Sequence, residues 1–212
     1  MARGKFVTFE GGEGAGKSTQ TRTLAAWLRS RGLDVVETRE PGGSPAAERV
    51  RAALLGLTPE EGDWQASAEC LMHYAARAQH VADVIEPALA AGVWVISDRF
   101  ADSTMAYQGH AGALGAGRVE ALHAWTLGDL KPDLTLILDL DVADGLARAR
   151  SRGAKADVYE RRPESFHAAV REGFLAIAKA EPERCQVISA LATPDAVAAD
   201  VQAAVADRLG PV

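Results

Sequence analysis

The stretch Gly11-Gly-Glu-Gly-Ala-Gly-Lys-Ser18 decides the fold. It matches the pattern G-x-x-x-x-G-K-[ST], whose fixed positions are filled by Gly11, Gly16, Lys17 and Ser18. Glycines let the backbone wrap closely around a polyphosphate and point several N–H groups inward. The lysine can reach the β- and γ-phosphates, and the serine hydroxyl can ligate Mg²⁺. This P-loop motif predicts binding of a nucleoside triphosphate, but it does not identify the phosphate acceptor.

The segments on either side of the loop have the order that such a site requires. Residues Lys5–Glu10 are β-prone and alternate in polarity, and the segment Ser18–Arg31 carries Leu24, Trp27 and Leu28 at helical spacing. A helix that begins at the loop adds partial positive charge at its N-terminus, which favours an anion. The alternative, a glycine-rich turn with a chance lysine, does not explain this strand–loop–helix context.

Short apolar segments alternate with helical patterns along the rest of the chain. After the first strand, further strands are predicted at residues 33–38, 93–98, 133–139 and 185–189. A helical pattern from residue 64 to 91, capped by Asp63, is expected to kink at Pro87. The glycine-rich residues 108–117 are predicted to form a mobile loop. The alternation predicts one α/β domain, residues 1–212, with a central five-stranded parallel sheet and helices on both faces.

The composition limits the classes of protein to consider. The chain is 48% hydrophobic and 25% charged, with a formal net charge of -6, so we expect no general nucleic-acid binding. Cys70 and Cys185 are the only cysteines, which gives neither a disulfide framework nor zinc-ligand spacing. No signal-peptide pattern and no apolar run of membrane-spanning length is found, so we expect a cytoplasmic protein without a membrane partner.

Arginines are placed where the strands of such a sheet end. In doubly wound sheets, ligands bind at the carboxyl ends of the strands. Arg39 follows the second predicted strand, and Asp98-Arg99 ends the third. A guanidinium can bind phosphate through two parallel hydrogen bonds, so these positions suit a phosphate ligand. A single arginine is most often a solvated surface charge, but two at strand ends beside a P-loop favour the phosphate interpretation.

The predicted long helix carries a polar stripe. His73 and Arg77 are four residues apart and share one face, with Tyr74 beside that face and His80 three residues further on. One interpretation is a partly exposed polar surface. The other is a base pocket, in which a ring stacks on the base and an arginine reads a carbonyl group. The spacing alone does not distinguish these interpretations.

A basic segment, residues 148–163, follows the fourth predicted strand. Its cationic side chains are Arg148, Arg150, Arg152, Lys155, Arg161 and Arg162. They are either a solvated helix end with local ion pairs or a lid that closes over ATP and places cations on the transferring phosphoryl group. Closure would exclude water, which a kinase needs in order to avoid hydrolysing ATP. We call residues 148–163 the lid segment.

Five segments together resemble bacterial thymidylate kinase. They are Gly11–Ser18, Thr38-Arg-Glu-Pro-Gly-Gly43, Tyr74-Ala-Ala-Arg-Ala-Gln-His80, Asp98-Arg99-Phe100 and Ala106-Tyr-Gln-Gly109, and they occur in the order and spacing of that family between residues 6 and 175. The resemblance implies a nucleoside monophosphate kinase-like P-loop fold. It also implies transfer of the ATP γ-phosphate to dTMP, giving dTDP and ADP for dTTP synthesis. Mg²⁺ as cofactor and a homodimer built on helices are implied as well.

The resemblance assigns site residues. Those implied to act in catalysis are Lys17, Asp98, Arg99 and Arg152, of which Asp98, together with Ser18, would ligate Mg²⁺. Those implied to bind ATP are Gly11, Gly12, Glu13, Gly14, Ala15, Gly16, Lys17, Ser18, Thr19 and Arg148. Those implied to bind dTMP are Glu13, Arg39, Glu40, Pro41, Arg51, His73, Arg77, Arg99, Thr104, Tyr107 and Gln108.

Within the dTMP set, the resemblance implies distinct roles. Glu13 would face the deoxyribose hydroxyl, and the phosphate would be held by Arg39, Arg51 and Arg99. Glu40 and Pro41 would wall the acceptor. Arg77 would read a thymine carbonyl, and Gln108 would contact the base. Thr104 would lie near the base and sugar, and Tyr107 would crowd a ribose 2′-hydroxyl.

The chain departs from the family pattern at four positions. Gly14 stands where some relatives carry a P-loop arginine, so the cation must come from elsewhere. The arginine-rich lid segment fits that role, with Arg152 as the first candidate and Arg161 or Arg162 as alternatives. His73 replaces the aromatic ring that usually stacks on thymine. Val158 occupies the place of a lid arginine, and Ser189 replaces an aspartate at the end of the last strand.

Two alternative functions remain open from the sequence. The first is a P-loop kinase for another small acceptor, such as dUMP, CMP or a deoxynucleoside; Arg77 and Gln108 disfavour cytosine but barely separate thymine from uracil. The second is a P-loop switch or partitioning ATPase that acts on protein partners. The absence of the Asn-Lys-x-Asp signature of guanine-binding proteins weakens the second alternative.

Overall fold

The structure is a computed structural model that describes residues 2–58, 60–112, 114–151 and 158–210. The strands are β1 (Phe6–Glu10), β2 (Val35–Arg39), β3 (Trp94–Asp98), β4 (Leu134–Asp139) and β5 (Cys185–Ser189). The α-helices are α1 (Lys17–Ser30), α2 (Pro45–Leu55), α3 (Ala66–His80), α4 (Glu86–Ala90), α5 (Ala101–Thr104), α6 (Ala116–Leu127), α7 (Val142–Ser151), α8 (Glu164–Ala180) and α9 (Pro194–Leu209). Two π-helical segments, Val81–Ile85 and Met105–His110, complete the helical structure of the described residues.

The five strands form one parallel sheet in the order β2-β3-β1-β4-β5. β1 is central because it pairs with β3 on one side and β4 on the other, with Phe9 opposite Asp98 and Leu136. This register brings the P-loop, which follows β1, next to the carboxyl end of β3. The predicted five-stranded parallel sheet is confirmed.

Side chains of β1 alternate between the two faces of the sheet, and helices cover both faces. Val7 and Phe9 pack in one core cluster with Leu28 of α1 and Val201 of α9. Phe6 lies in a second cluster, on the opposite face. Helices on both faces explain why the inner strands are buried along almost their whole length.

Two predicted segment boundaries were wrong. Helix α3 begins at Ala66 with Gln65 as its N-cap, and the irregular turn lies at Val81–Ile85, before Pro87. A proline has no amide hydrogen for the carbonyl four residues earlier, so the turn preceding it is the one that widens. The predicted loop 108–117 begins late, because the helical structure continues through His110.

No helix within the described ranges has the length and apolarity needed to cross a membrane.

Candidate active site

The P-loop glycines adopt backbone angles that other residues avoid. The angle φ is 130° at Gly11, 69° at Gly14 and 94° at Gly16. A Cβ atom at Gly14 would lie 2.0 Å from the carbonyl oxygen of Gly145 on α7, and one at Gly145 would lie 2.4 Å from the carbonyl oxygen of Glu13. The loop and α7 therefore touch backbone to backbone, and an arginine cannot occupy position 14.

Lys17 begins α1 and turns its ammonium group back onto the loop. Its Nζ atom donates hydrogen bonds to the carbonyl oxygens of Gly12 at 2.7 Å and Gly11 at 3.1 Å. Burial, with a contribution from Arg99, lowers the pKa of Lys17 to about 8. The ammonium group is thus held at the helix N-terminus, where phosphate oxygens bind in P-loop sites.

Ser18 and Asp98 bring two oxygen ligands together beside the P-loop. The Ser18 hydroxyl donates a hydrogen bond to the Asp98 carboxylate at the end of β3. A hydroxyl and a carboxylate are the donor set with which Mg²⁺ is held when substrate phosphates supply further ligands. In the described part of the chain, no three His, Cys, Asp or Glu side chains are grouped in a way that could hold a metal by themselves.

Arg99 has a left-handed backbone, with φ of 74°. This conformation is costly for a residue with a side chain, and neighbouring hydrogen bonds hold it in place. The Arg99 amide donates to the Phe9 carbonyl at 2.9 Å, the Ser97 hydroxyl donates to the Arg99 carbonyl at 2.7 Å, and the next amide, of Phe100, donates to the Glu10 carboxylate at 2.7 Å. Burial and the nearby Asp102 raise the pKa of Glu10 to about 8.

The guanidinium of Arg99 joins the end of β3 to the P-loop. It donates to the Gly11 carbonyl at 3.1 Å, to the Ser103 hydroxyl at 3.0 Å and to the Tyr107 hydroxyl at 3.0 Å. It also forms an ion pair with Glu13 at 2.8 Å. Burial alone would raise the pKa of Glu13, but the positive charges of Arg99 and Lys17 lower it to about 2.

Arg77 is fully buried and held in one orientation. Its Nε atom donates to the Glu40 carboxylate at 2.7 Å, and one Nη atom donates to the Thr104 hydroxyl at 3.0 Å and the Phe100 carbonyl at 3.1 Å. His80 contacts the second oxygen of Glu40 at 2.9 Å. The predicted wall residue Glu40 therefore acts as the ion-pair partner that fixes Arg77.

Two buried polar atoms in this region have no hydrogen-bond partner among the described residues. They are Nη1 of Arg77, a donor, and Oε1 of Gln108, an acceptor. Both residues line the same cavity, and both are almost inaccessible to solvent. Because an unpaired buried polar atom costs about 1–3 kcal/mol, this pair can bind a ligand that presents one acceptor and one donor.

Tyr159, in the lid segment, contacts the residues around that pair. Its hydroxyl donates to Glu69 at 2.6 Å, accepts from Nε2 of Gln108 at 3.2 Å and lies 2.7 Å from Nε2 of His73. Burial, with a contribution from Arg77, lowers the pKa of His73 to about 3, so its imidazole is neutral at physiological pH.

Most of the predicted site residues line one cavity of about 290 Å³. Those that do are Glu13, Gly14, Gly16, Lys17, Ser18, Thr19, Arg39, Glu40, Pro41, Arg51, His73, Arg77, Asp98, Arg99, Thr104, Tyr107 and Gln108. Gly11 and Gly12 line a separate, smaller cavity, and Ala15 is buried. Arg148 donates to the Ala190 carbonyl at 3.0 Å, and Arg152 lies outside the described residues.

The arginines expected at the acceptor phosphate contact neighbouring loops. Arg39 forms an ion pair with Glu48 at 2.9 Å, and Arg51 donates to the Pro41 carbonyl at 2.7 Å. Both line the same cavity as Arg99, so three arginines contribute to its wall.

The two alternative lid cations contact the 57–63 region. Arg161 donates to the Leu57 carbonyl at 3.0 Å, and Arg162 pairs with Asp63 at 3.0 Å. Neither arginine lines the cavity. Val158 is buried in the core against α8, and Ser189 ends β5 opposite Asp139.

Five cavity residues were missing from the predicted site. They are Leu55, Phe100, Ser103, Tyr159 and Glu160. Ser103 stands four residues after Arg99 at helical spacing, and Phe100 is part of the Asp98-Arg99-Phe100 segment, so both carried a local signal. No local sequence signal pointed to Tyr159, because its hydrogen-bond partners Glu69, His73 and Gln108 lie far away in the sequence.

Comparisons with known proteins agree with this geometry. The thymidylate kinase family model matches residues 9–201. Thymidylate kinase of Bradyrhizobium diazoefficiens is 50% identical, with 99% of this chain and 92% of that protein aligned. Thymidylate kinase of Caulobacter vibrioides is also 50% identical, over 99% of this chain and 100% of that protein.

A solved structure agrees as well. The crystal structure of thymidylate kinase from Ehrlichia chaffeensis matches with a TM-score of 0.76 and 34% sequence identity, covering 96% of this chain and 98% of that one. The predicted nucleoside monophosphate kinase-like P-loop fold and the resemblance stated from the sequence are both confirmed. This chain belongs to the thymidylate kinase family.

Proposed function

We propose that this chain transfers the γ-phosphate of ATP to dTMP, giving dTDP and ADP for dTTP synthesis. The observation that carries the proposal is the buried pair of unpartnered atoms, the Arg77 Nη1 donor and the Gln108 Oε1 acceptor. Thymine presents a carbonyl oxygen at position 4 and an N–H at position 3, so it satisfies both atoms. Cytosine presents an amino group and a bare ring nitrogen, so it satisfies neither.

The phosphate end of dTMP belongs at the opposite end of the cavity. Arg39, Arg51 and Arg99, which all line the cavity, would bind it there, and Arg99 is held by hydrogen bonds to the Gly11 carbonyl and the Glu13 carboxylate. Glu13, ionised through its low pKa, and the Tyr107 hydroxyl, which donates to it, would face the deoxyribose. These groups would contact the phosphate, deoxyribose and base of the nucleotide, and Pro41 and Thr104 would complete the walls.

ATP binds at the P-loop in this proposal. The backbone N–H groups from Gly11 to Thr19 and the N-terminus of α1 would hold the β- and γ-phosphates, and Lys17 would leave its two carbonyl partners for phosphate oxygens. Arg148, at the end of α7, is proposed to lie along the nucleotide. Ser18 and Asp98 fit Mg²⁺, which when bound supplies charge neutralisation for the phosphates.

Transfer of the phosphoryl group then depends on position and charge, without a covalent intermediate. Arg99 holds the acceptor phosphate in line, Lys17 stabilises the charge of the transferring group, and Asp98 keeps Ser18 oriented. Because position 14 admits no arginine, we assign the remaining cation to Arg152 of the lid segment. Closure of that segment excludes water from the phosphoryl group.

The chain is proposed to act as one kinase domain, residues 1–212, in the cytoplasm and as a homodimer. Two large apolar side chains support a helix-based dimer: Trp125 on α6 is 82% exposed, and Leu71 on α3 is 54% exposed. Helices α3 and α6 are neighbours in the fold, so both side chains belong to one helical layer. We expect no membrane or nucleic-acid partner.

A panel of acceptors tests the proposed function. The protein is incubated with ATP, Mg²⁺ and either dTMP, dUMP, dCMP or no acceptor, and ADP formation is measured. We expect fast turnover with dTMP, measurable turnover with dUMP because uracil presents the same polar face, and the slowest turnover with dCMP. Equal rates with dCMP would contradict the assignment of Arg77 and Gln108, and ADP formation that is independent of acceptor would indicate an ATPase.

A further inference from the structure

The amide of Gln108 has two ends of similar shape and opposite polarity. With Oε1 towards the cavity it accepts from the N–H of thymine, and with Nε2 towards the cavity it would donate to the bare nitrogen of cytosine. An amide can rotate between these two orientations. The preference for thymine therefore requires a group outside the cavity that holds the Nε2 end of Gln108.

The Tyr159 hydroxyl is that group. It lies 3.2 Å from Nε2 of Gln108 and accepts its hydrogen bond, which leaves Oε1 of Gln108 facing the cavity. A hydroxyl has a single proton and can donate only once. If Tyr159 gave this proton to Gln108, the amide would turn over and present Nε2 to the base.

Glu69 determines where that proton goes. Burial raises the pKa of the Glu69 carboxyl, and hydrogen bonds from the Tyr159 hydroxyl and from Gln108 itself oppose that rise. The ionised carboxylate only accepts hydrogen bonds, and the Tyr159 hydroxyl donates to its Oε1 atom at 2.6 Å. With its proton directed to Glu69, the Tyr159 oxygen must accept from its other neighbours. The neutral His73 satisfies this requirement by carrying its proton on Nε2, 2.7 Å away, which makes it a second donor to the same oxygen.

Burial makes this arrangement costly to reverse. Gln108 is 4% exposed, Tyr159 is 8% exposed and Glu69 is 9% exposed. In a poorly solvated site, two facing acceptors or two facing donors lose a hydrogen bond without compensation from water. The Tyr159 ring is also fixed, because it packs edge-on against the Tyr107 ring with centroids 5.2 Å apart.

We propose that Glu69, acting through the Tyr159 hydroxyl, fixes the orientation of the Gln108 amide and so determines the preference for a 4-oxo base over a 4-amino base. Glu69 and Tyr159 are then positioning residues: they act on the base through Gln108. This inference rests on the proposed function, because it takes a dTMP-like nucleotide as the acceptor.

The test compares two acceptors that differ only at positions 3 and 4 of the base. These are dTMP and 5-methyl-2′-deoxycytidine 5′-monophosphate, and the readout is the ratio of their kcat/KM values. Tyr159→Phe keeps the ring and removes the hydroxyl, so we expect the ratio to fall by about tenfold or more. We expect the change mainly in KM for dTMP. Glu69→Gln, which can donate to the Tyr159 oxygen, should change the ratio in the same direction.

Two controls separate positioning from a general structural effect. In a Gln108→Ala background, Tyr159→Phe should leave the ratio unchanged, because the group through which it acts is gone. Glu183→Gln removes an exposed carboxylate far from the cavity and should leave the wild-type ratio unchanged. Thermal unfolding of each variant establishes that it is folded. If Tyr159→Phe does not fold, Glu69→Gln provides the test instead.

The outcomes are distinguishable. An unchanged ratio in folded Tyr159→Phe, or an equal fall of the ratio in the Gln108→Ala background, overturns the inference and leaves the proposed function intact. A wild-type protein that does not phosphorylate dTMP overturns the proposed function itself, and the inference with it.

Discussion

The guanidinium of Arg99 donates a hydrogen bond of 2.8 Å to the carboxylate of Glu13, joining the carboxyl end of β3 to the P-loop. The Tyr107 hydroxyl donates to the same carboxylate oxygen at 2.8 Å. The proposed acceptor site and the proposed ATP site therefore share one carboxylate. A phosphate that binds Arg99 is placed directly beside the loop that holds the donor, which is the geometry that phosphoryl transfer requires.

The Tyr107 ring is expected to exclude ribonucleotides. Its hydroxyl donates to Glu13, so the ring is expected to stand beside the proposed sugar position and to fill the space that a 2′-hydroxyl would need. Tyr107→Ala should reduce the preference for dTMP over the matching ribonucleotide by at least about tenfold in kcat/KM, or ~1.4 kcal/mol. Tyr107→Phe is the matched control, because it keeps the ring and should keep the preference. An unchanged preference in Tyr107→Ala would place the barrier elsewhere.

Loss of the Lys17 proton should make the reaction slower at high pH. The Lys17 pKa of about 8 means that the ammonium group is charged below that pH and loses its proton above it. Since kcat/KM reports the free enzyme, kcat/KM for ATP should fall roughly tenfold per pH unit above about pH 8. The decrease in kcat should begin at a higher pH than the decrease in kcat/KM, because bound phosphates favour the charged lysine. A kcat/KM that stays flat to about pH 9.5 would contradict this.

Arg152 is expected to supply the cation that position 14 cannot carry. Arg152→Ala should lower kcat by roughly 10²–10⁴, as expected for a group that stabilises transition-state charge, with KM for dTMP little changed. Arg161→Ala is the matched control, because Arg161 contacts the Leu57 carbonyl away from the cavity. A change in kcat of less than about threefold in Arg152→Ala, or a larger loss in Arg161→Ala, would reassign the role.

His73 should make the folded state sensitive to acid. Its pKa is lowered to about 3 in the folded protein, whereas an unfolded histidine titrates near ~6.5. Stability from the neutral imidazole is present above pH ~6.5 and is lost as the pH falls below that value. Between pH 7 and 5, the free energy of unfolding should fall by about 2 kcal/mol more in the wild type than in His73→Phe. Urea unfolding measures this, and His110→Gln, at an exposed position, should behave like the wild type.

The contact between Gly14 and Gly145 should tolerate no side chain. Gly145→Ala places a Cβ atom 2.4 Å from the Glu13 carbonyl oxygen, so either α7 or the P-loop must shift. We expect a loss of about 1–3 kcal/mol in stability and a lower kcat/KM. Gly117→Ala is the matched control: it lies in α6 with no atom within 4 Å of the new Cβ, and should stabilise the chain by about 0.5–1 kcal/mol. Equal stability of the two variants would contradict the close packing.

The parts of the site that follow from local sequence could be predicted. The P-loop needs glycines at fixed spacing, and Asp98-Arg99 follows an apolar strand, so both could be placed at the carboxyl edge of the sheet. The segment around Gly109 could not. The glycines of that segment predicted a loop, yet Gly109 lies in a helical segment that packs closely against its neighbours. Gly173 of α8 faces the same segment, and a Cβ atom at Gly173 would lie only 3.2 Å from the Cα of Ala106.

The orientation of the polar groups in the cavity could not be predicted from the sequence either. Glu40 was expected to wall the acceptor, and it lines the cavity, but its ion pair with Arg77, 37 residues later in the chain, was not expected. The Gln108 amide is oriented by Tyr159, 51 residues away. Such pairings depend on the path of the whole chain, which residue spacing within one segment does not reveal.

A crystal structure of the protein with dTMP tests the central claim most directly. We expect O4 of thymine within about 3 Å of Nη1 of Arg77 and N3 within about 3 Å of Oε1 of Gln108, with the phosphate bound to Arg99. A base that turns another edge to Arg77 and Gln108, or a nucleotide that binds outside this cavity, would contradict it.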